Sequence, residues 1–416
     1  MTARPILPDS RRKPFCIAVA PVLLLAMVMA AGCVGSDAKM EQDIHLIKLN
    51  QDGSVAWTKV IDTGKDDEVN DIIQTSDGGY LIAGGYSVPL CNENTHNPTT
   101  VTLTRISPEG TILWEQNSTR TGKVMPTIDP EKIIAVFQEP DYGFLMISPS
   151  GLIQHVDNNG NILWSRSISD SRALQLKFNS VIRSRDNGYL LAGTAVCRDR
   201  KDEKNYTMMV TRLDHDANQS WMKIYYDSRK PQIFSLIELG NNSGIVGSLK
   251  QSDELVLFDN NGTIVGYPTE NMSGAGDLYK IQVVPDGFVA YKENQKSGNL
   301  VEELHFNNDG KTTGRRTLFN ITHEETLRSP GSDETLLTKD QRYLTVIPDK
   351  FTGRPLDSGR FYVRAQLLTT NGSIIWDREI LSLAVQYYPG NHVRRIIETD
   401  DRGFMVVLGV EKATGC

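Results

Sequence analysis

Leu46-Ile47-Lys48-Leu49-Asn50-Gln51-Asp52-Gly53-Ser54-Val55-Ala56-Trp57 holds the pattern that decides the fold. An alternating apolar run meets an Asp-Gly pair, and a second run ends on tryptophan. Asp-Gly supplies the positive φ that a tight hairpin turn needs. Alternation on each side turns one face of the strand into a core. The same figure recurs at Leu103–Trp114 around Gly110, at Ile153–Trp164 around Gly160, and at Val210–Trp221, where Ala217 replaces the glycine. It recurs again at Ala365–Trp376 around Gly372, and without tryptophan at Leu255–Gly266 and Leu304–Gly314. The chain has five tryptophans, and Trp57, Trp114, Trp164, Trp221 and Trp376 all occupy this one position, so each is expected to be a structural anchor packed between neighbouring sheets.

A second figure alternates with the first. Its clearest copy is Ile72-Ile73-Gln74-Thr75-Ser76-Asp77-Gly78-Gly79-Tyr80-Leu81-Ile82-Ala83-Gly84. Copies follow at Ile182–Gly193, Val283–Tyr291 and Ile397–Gly409, and weaker ones surround Asp141, Asn242 and Asp340. Each period therefore holds four strands: A and B joined by this hairpin, C and D by the tryptophan hairpin. The turn positions 53, 110, 160, 217, 262, 310 and 372 lie 45 to 62 residues apart. Four-stranded units of about 40–50 residues plus loops are propeller blades, whereas solenoid repeats are shorter and stricter. The chain opens on C and D and closes on A and B. The expected fold is all-β: a seven-bladed β-propeller of four-stranded blades, closed by the N-terminal C–D strands pairing with the C-terminal A–B strands, which removes open edges.

These repeats resemble the propeller repeats of many exported bacterial and archaeal proteins and are loosely similar to quinoprotein-type (PQQ-like) repeats. The resemblance covers nearly all of residues 44–416 and implies the fold without implying a role. The alanine-to-glycine lead-in of quinoprotein docking motifs is missing, so no PQQ and no other cofactor is expected. Sialidase-type Asp-boxes are also similar, but the serine that opens such a box is absent.

The first 33 residues differ from the rest. Arg11, Arg12 and Lys13 precede an apolar run from Phe15 to Ala31, the layout of a secretory signal. Met29-Ala30-Ala31-Gly32-Cys33 resembles the lipobox of prokaryotic lipoproteins. The resemblance implies cleavage before Cys33 and lipidation of its thiol, with plain secretion or an uncleaved anchor as the competing readings. The expected domains are a signal peptide at 1–32, the lipidated cysteine and a tether at 33–43, and the propeller at 44–416. The full chain carries −7; removing four cations and one anion with the signal leaves −10. That acidity argues against a nucleic-acid partner. The expected location is outside the cytoplasmic membrane, facing the cell exterior or the periplasm, with the membrane itself a partner through the N-terminal lipid.

No catalytic or metal-binding constellation is legible. Asp157 and Asp214 begin stretches like calcium loops but lack the closing glutamate, so both read as hairpin turns. His155 and His305 share one repeat position, five residues before the turn glycine, which suggests a solvent-facing strand site. Eight Asn-x-Ser/Thr sequons read either as turn chemistry or as glycosylation of an archaeal surface protein. Tight turns should share one face of the ring. The long connections Ser87–Thr100, Arg198–Tyr206, Arg315–Arg328 and Pro348–Arg360 should share the other, where a ligand is expected. Cys91 and Cys416 are expected to meet there as a disulfide; a frayed C-terminal Cys416 is the competing reading. The function expected is a non-enzymatic cell-surface binding or scaffold module for a protein or glycan partner. A polysaccharide-active hydrolase or lyase is one alternative. A periplasmic assembly lipoprotein, similar to the propeller lipoprotein of outer-membrane-protein insertion, is the other.

Overall fold

A computed structural model describes residues 39–87, 99–119, 133–141, 143–198, 204–226, 232–240, 244–249, 254–268, 278–294, 300–320, 335–349, 361–383 and 392–414. Residues 40–412 form one compact unit. It is a β-propeller of seven four-stranded sheets, with no α-helix among the described residues. Blade I combines β27 (His392–Glu398) and β28 (Phe404–Thr414) with β1 (Lys39–Leu49) and β2 (Val55–Ile61), in the order β2-β1-β28-β27. The ends of the chain thus close the ring inside one sheet, as the order of hairpins required. Strand β1 begins at Lys39 instead of residue 44.

Blade II runs from β3 (Asp66–Gln74) to β6 (Ile112–Thr119). Blade III holds β7 (Ala135–Gln138), β8 (Phe144–Ile147), β9 (Leu152–Val156) and β10 (Ile162–Ser167). Blade IV holds β11 (Gln175–Arg183), β12 (Tyr189–Arg198), β13 (Lys204–Leu213) and β14 (Gln219–Tyr225). Blades V, VI and VII span residues 233–266, 278–320 and 335–383. First strands of neighbouring blades pack on one another, so they form the inner layer. Fourth strands such as β2 and β10 are largely exposed and form the circumference. In the inner layer, the Asp71 carboxylate on β3 accepts from Val136 N–H of blade III at 2.9 Å and from Arg395 of blade I at 3.0 Å, joining three blades.

All seven C–D turns have one construction. Gly53 N–H donates to Asn50 C=O at 3.0 Å, and Asn50 N–H to Ser54 C=O at 2.8 Å; the pair recurs at every copy. This is a type I turn followed by a left-handed residue that ends in a bulge. The left-handed residue has φ of +80° at Gly53, +86° at Gly110 and +59° at Ala217. Asp157 and Asp214 cap such turns: Asn161 N–H and Asn218 N–H each donate to them at 2.8 Å. Both are hairpin turns, as the missing glutamates indicated.

The tryptophans join neighbouring blades. Trp57 Nε1 of blade I donates to Pro108 C=O in the blade II turn at 2.9 Å. Trp114 donates to Asn158 C=O of blade III at 3.0 Å, and Trp376 of blade VII donates to Gln51 C=O of blade I at 3.0 Å. Each ring lies on the turn glycine itself. A Cβ at Gly53 would come within 2.7 Å of Trp376, one at Gly110 within 2.9 Å of Trp57, and one at Gly262 within 2.7 Å of Trp221. Glycine and tryptophan are therefore two halves of one inter-blade staple at Gly53, Gly110, Gly160 and Gly262, while Pro268 takes the place of the indole at Gly310.

Four A–B turns carry a second repeated contact. Asp77 pairs with Arg105 at 2.6 Å, Asp186 with Arg212 at 2.7 Å, Asp401 with Lys48 at 2.8 Å, and Asp141 lies 3.5 Å from His155. Burial pushes against the charge on Asp77, but hydrogen bonds from Thr75, Arg105 and the Gly79 amide hold its carboxyl down to about 2. The cationic residue is always five before the C–D turn position. This corrects the solvent-facing reading of His155: its equivalents Lys48 and Arg105 are buried under the A–B turn of their own blade, and its own side chain is 12% exposed.

Candidate functional site

Of the five junctions that carry a tryptophan, the one between blades III and IV alone lacks the turn glycine. Trp164 occupies the repeat position on β10, but the turn it should meet presents Ala217. At the four other junctions that carry a tryptophan, a Cβ in that place would sit 2.7–3.1 Å from indole carbons, closer than carbon atoms pack. Trp164 therefore cannot lie as close to its turn as its counterparts do, although it remains packed against the core cluster to which Leu213 and Ala217 belong. Among the described residues it makes no indole N–H bond like those of Trp57, Trp114 and Trp376. Arg166, two residues on, lies over the Trp164 ring at 4.4 Å and donates to Asp216 C=O and Asn218 Oδ1, both at 2.7 Å.

A cleft of about 640 Å³ opens at this junction, on the face of the tight turns. One wall is blade III: Glu139 and Asp141 of its A–B turn, His155 on β9, and Trp164 and Arg166 on β10. The other is blade IV: Arg183 at the end of β11, Asp186 and Asn187 of its A–B turn, Tyr189 opening β12, and the C–D turn at 215–218. The volume falls within the range of about 300–1,000 Å³ usual for small-molecule sites.

The floor is ionic and fixed. Glu139 accepts from Arg183 Nη2 and, at 2.5 Å, from the Tyr189 hydroxyl. Arg183 Nη2 also reaches Gln138 C=O at 3.1 Å. Burial and the hydrogen bond to Glu139 raise the Tyr189 hydroxyl above the ordinary phenol range, so it stays protonated. Burial also works against the charge on Asp186, yet Arg212, the Gly188 amide and Ser184 hold it below the usual carboxylate value. His155 Nε2 is buried with no hydrogen-bond partner; Asp141 Oδ2 lies 3.5 Å away without the geometry of a bond. The His155 and Trp164 rings are tilted at 57°, with centroids 5.4 Å apart.

Glu139 and Asp186 each have an arginine counter-charge, Asp141 and Asp216 lie against histidines, and Arg166 meets only neutral oxygens. A possible cation site among the described residues, formed by Glu41 and Asp43 on β1 and by Asp62 just after β2, is already held by Lys412 Nζ, 2.9 Å from both Asp43 and Asp62.

The sequence-level expectations meet the structure unevenly. Trp57, Trp114, Trp221 and Trp376 are inter-blade anchors, and Trp164 is the exception that lines the cleft. Cys33, Cys91 and Cys416 lie outside the described residues, as do the central parts of the four long connections. Of the stretch read as the Arg315–Arg328 connection, residues 315–320 continue strand β22 (Thr312–Asn320). Cys197 is a free, buried thiol. The cleft sits on the face opposite the long connections. Sequence reasoning noted Ala217 as a departure but missed its partner, Trp164, 53 residues upstream in the preceding blade.

Among solved structures, the chain is similar to BamB from Moraxella catarrhalis, at 12% identity and a TM-score of 0.39, over 90% of this chain and 94% of that one. It is also similar to YCF48, in a structure with YCF48 bound to D1 peptide, at 11% identity and a TM-score of 0.48, over 89% and 97%. No family model matches the chain, and no curated protein matches it. At these values the likeness says nothing about a ligand or partner.

Proposed function

We propose that the protein is an exported, lipid-anchored binding module whose ligand site is the cleft between blades III and IV. The observation that carries the site is the polar cleft itself, which opens where Ala217 replaces the turn glycine that faces the tryptophan at four other junctions. The Met29–Cys33 stretch supports lipidation at Cys33, and the apolar run before it supports export. Among the described residues no helix is long and apolar enough to cross a membrane. Strand β1 starts at the end of its blade opposite the tight turns. The proposal includes a Cys91–Cys416 bridge across the closing blade and its neighbour. Under non-reducing conditions it predicts a tryptic peptide pair joining these residues, and recovery of both as free thiols rejects the bridge.

Footprinting in cells tests the site. Asn187→Cys places a thiol in the cleft, and Leu113→Cys places one on the outer strand of blade II, where Leu113 is 55% exposed. A membrane-impermeant maleimide is expected to label the cleft thiol at least several-fold more slowly in intact cells than in purified protein, with no such difference at position 113. Equal relative rates at both positions would reject the cleft as an occupied site. Cys33→Ser is expected to move the chain from the membrane fraction to the soluble exported fraction; continued membrane retention would reject the lipid anchor.

A further inference from the structure

We infer that Glu41, Asp43 and Asp62 form a calcium site in the ring-closing blade, with the Lys412 ammonium as its exchangeable occupant. The register of β1 and β2 brings the carboxylates together. Ile44 pairs with Ile61, so the next residues outward, Asp43 and Asp62, lie opposite one another. Like charges directly opposite in an antiparallel pair destabilise it. Glu41 stands two residues from Asp43 on β1 and therefore on the same face of the strand. One oxygen of each carboxylate lies within 4.8 Å of the others. Calcium takes oxygen ligands at about 2.3–2.6 Å, so a single ion among the three can touch all of them.

Lys412, on the last strand β28, answers only part of this charge. Its Nζ donates to Asp62 Oδ2 at 2.9 Å and lies 2.9 Å from Asp43 Oδ1 without the geometry of a hydrogen bond. Glu41 is left over: it is 6% exposed, and its Oε1 is buried with no hydrogen-bond partner. A buried carboxylate oxygen in that state is costly, and native structures answer it with a donor or an ion. Asp62 is already set for the purpose, because its Oδ1 accepts from the Gly64 amide at 2.8 Å and Oδ2 is the oxygen turned to the cation.

The donor set selects the metal. Carboxylate oxygens are hard ligands that suit calcium, whereas zinc and copper draw on nitrogen and sulfur. Calcium also accepts an irregular shell completed by water, which reaches the site through Asp62, 43% exposed; magnesium demands a near-octahedral one. Lys412 can give way, since its side chain is 32% exposed and carries a strongly hydrated charge on a flexible stem. With the ammonium moved out to water, the ion ties β1 to the residue that follows β2, in the sheet where the two ends of the chain meet.

The test uses the full chain in detergent, stripped with EDTA and titrated with calcium chloride by calorimetry, with Tm measured in parallel. Calcium is expected to bind with a Kd in the micromolar-to-millimolar range and to raise Tm by several degrees, and potassium chloride of equal ionic strength is expected to leave Tm unchanged. Glu41→Gln should weaken binding at least tenfold. Asp309→Asn, at an exposed acid in the C–D turn of blade VI, should leave it as it is. Lys412→Ala should act in the opposite sense: a lower Tm in EDTA, and calcium binding at least tenfold tighter, because the competing cation is gone. Circular dichroism confirms that each variant is folded. Absence of binding to the unaltered chain at about 10 mM calcium overturns the inference, even where Lys412→Ala binds, since the lysine is then the permanent cation of the cluster. Calcium binding that is insensitive to both Glu41→Gln and Lys412→Ala places the ion elsewhere and overturns it too.

Discussion

The junction of blades VII and I and the junction of blades III and IV are built from the same two hairpins with opposite outcomes. At the first, Trp376 lies on Gly53, donates to Gln51 C=O at 3.0 Å and is buried. At the second, Ala217 holds the same left-handed turn at φ +59°, and its Cβ occupies the place an indole would take. One methyl group distinguishes the turns of the two junctions. The difference teaches that the repeated glycine is needed twice over, once for its φ and once for the ring that rests on it. Alanine can meet the first demand at some cost; it cannot meet the second.

Removing the two tryptophans should separate the junctions most sharply. Trp376→Ala empties a buried site at the seam that closes the ring, and about 3–5 kcal/mol of stability should go with it. Trp164→Ala removes a half-buried ring that faces no turn glycine, and a smaller loss of about 1–2 kcal/mol is expected. Urea denaturation of both variants measures the contrast, and equal losses would erase it.

The turn residue gives the next effect. Gly110→Ala sets a Cβ 2.9 Å from Trp57 in a turn at φ +86°, so overpacking and backbone strain add; about 2–4 kcal/mol of destabilisation is expected. Ala217→Gly relieves the same backbone strain with no ring to disturb, and should stabilise by about 1 kcal/mol. It also frees the turn for Trp164, so the cleft should narrow and its ligand should bind less tightly. A destabilised Ala217→Gly variant would contradict this account of the turn.

A smaller effect distinguishes the closed junction of blades I and II from the wet cleft. Asp67 is buried there, and burial, with Asp43 and Asp62 adding to it, raises its carboxyl to about 6 despite hydrogen bonds from Thr63. The folded state therefore holds this proton more tightly than the unfolded chain, whose aspartates titrate near 3.9. Its contribution to stability is fully present below about pH 4 and is lost as pH rises through 6. Asp67→Asn should flatten the decline in Tm between pH 4.5 and 7 by a few degrees, whereas Asp186→Asn, whose carboxyl is held low, should leave it unchanged. An unchanged slope in Asp67→Asn would show that this carboxyl is not desolvated.

The seven blades and the closing seam were legible because they rest on local chemistry. A left-handed turn residue and a tryptophan four positions later sit in one hairpin and announce themselves seven and five times. The cleft was not legible, because it depends on what Ala217 fails to accept from a residue 53 positions earlier in another blade. Hairpin reading treats that substitution as a conservative one. The cation under each A–B turn was missed for a related reason. A period of two assigns Lys48, Arg105, His155 and Arg212 to one face of a strand, but cannot say whether that face meets water or the turn of a neighbouring strand. Reading only His155 and His305, and not the lysine and arginines in register with them, hid the pairing with Asp77, Asp141, Asp186 and Asp401.

The interrupted staple is tested most directly by exchange of the five indole N–H protons with water, followed by NMR on the deuterated chain. The account predicts that the Trp57, Trp114 and Trp376 signals, each hydrogen-bonded to a neighbouring turn, exchange slowly, and that Trp164 and Trp221, which have no such bond among the described residues, exchange faster. Trp164 protection equal to that of Trp376 would mean that the indole is docked after all, and that no cleft stands open between blades III and IV.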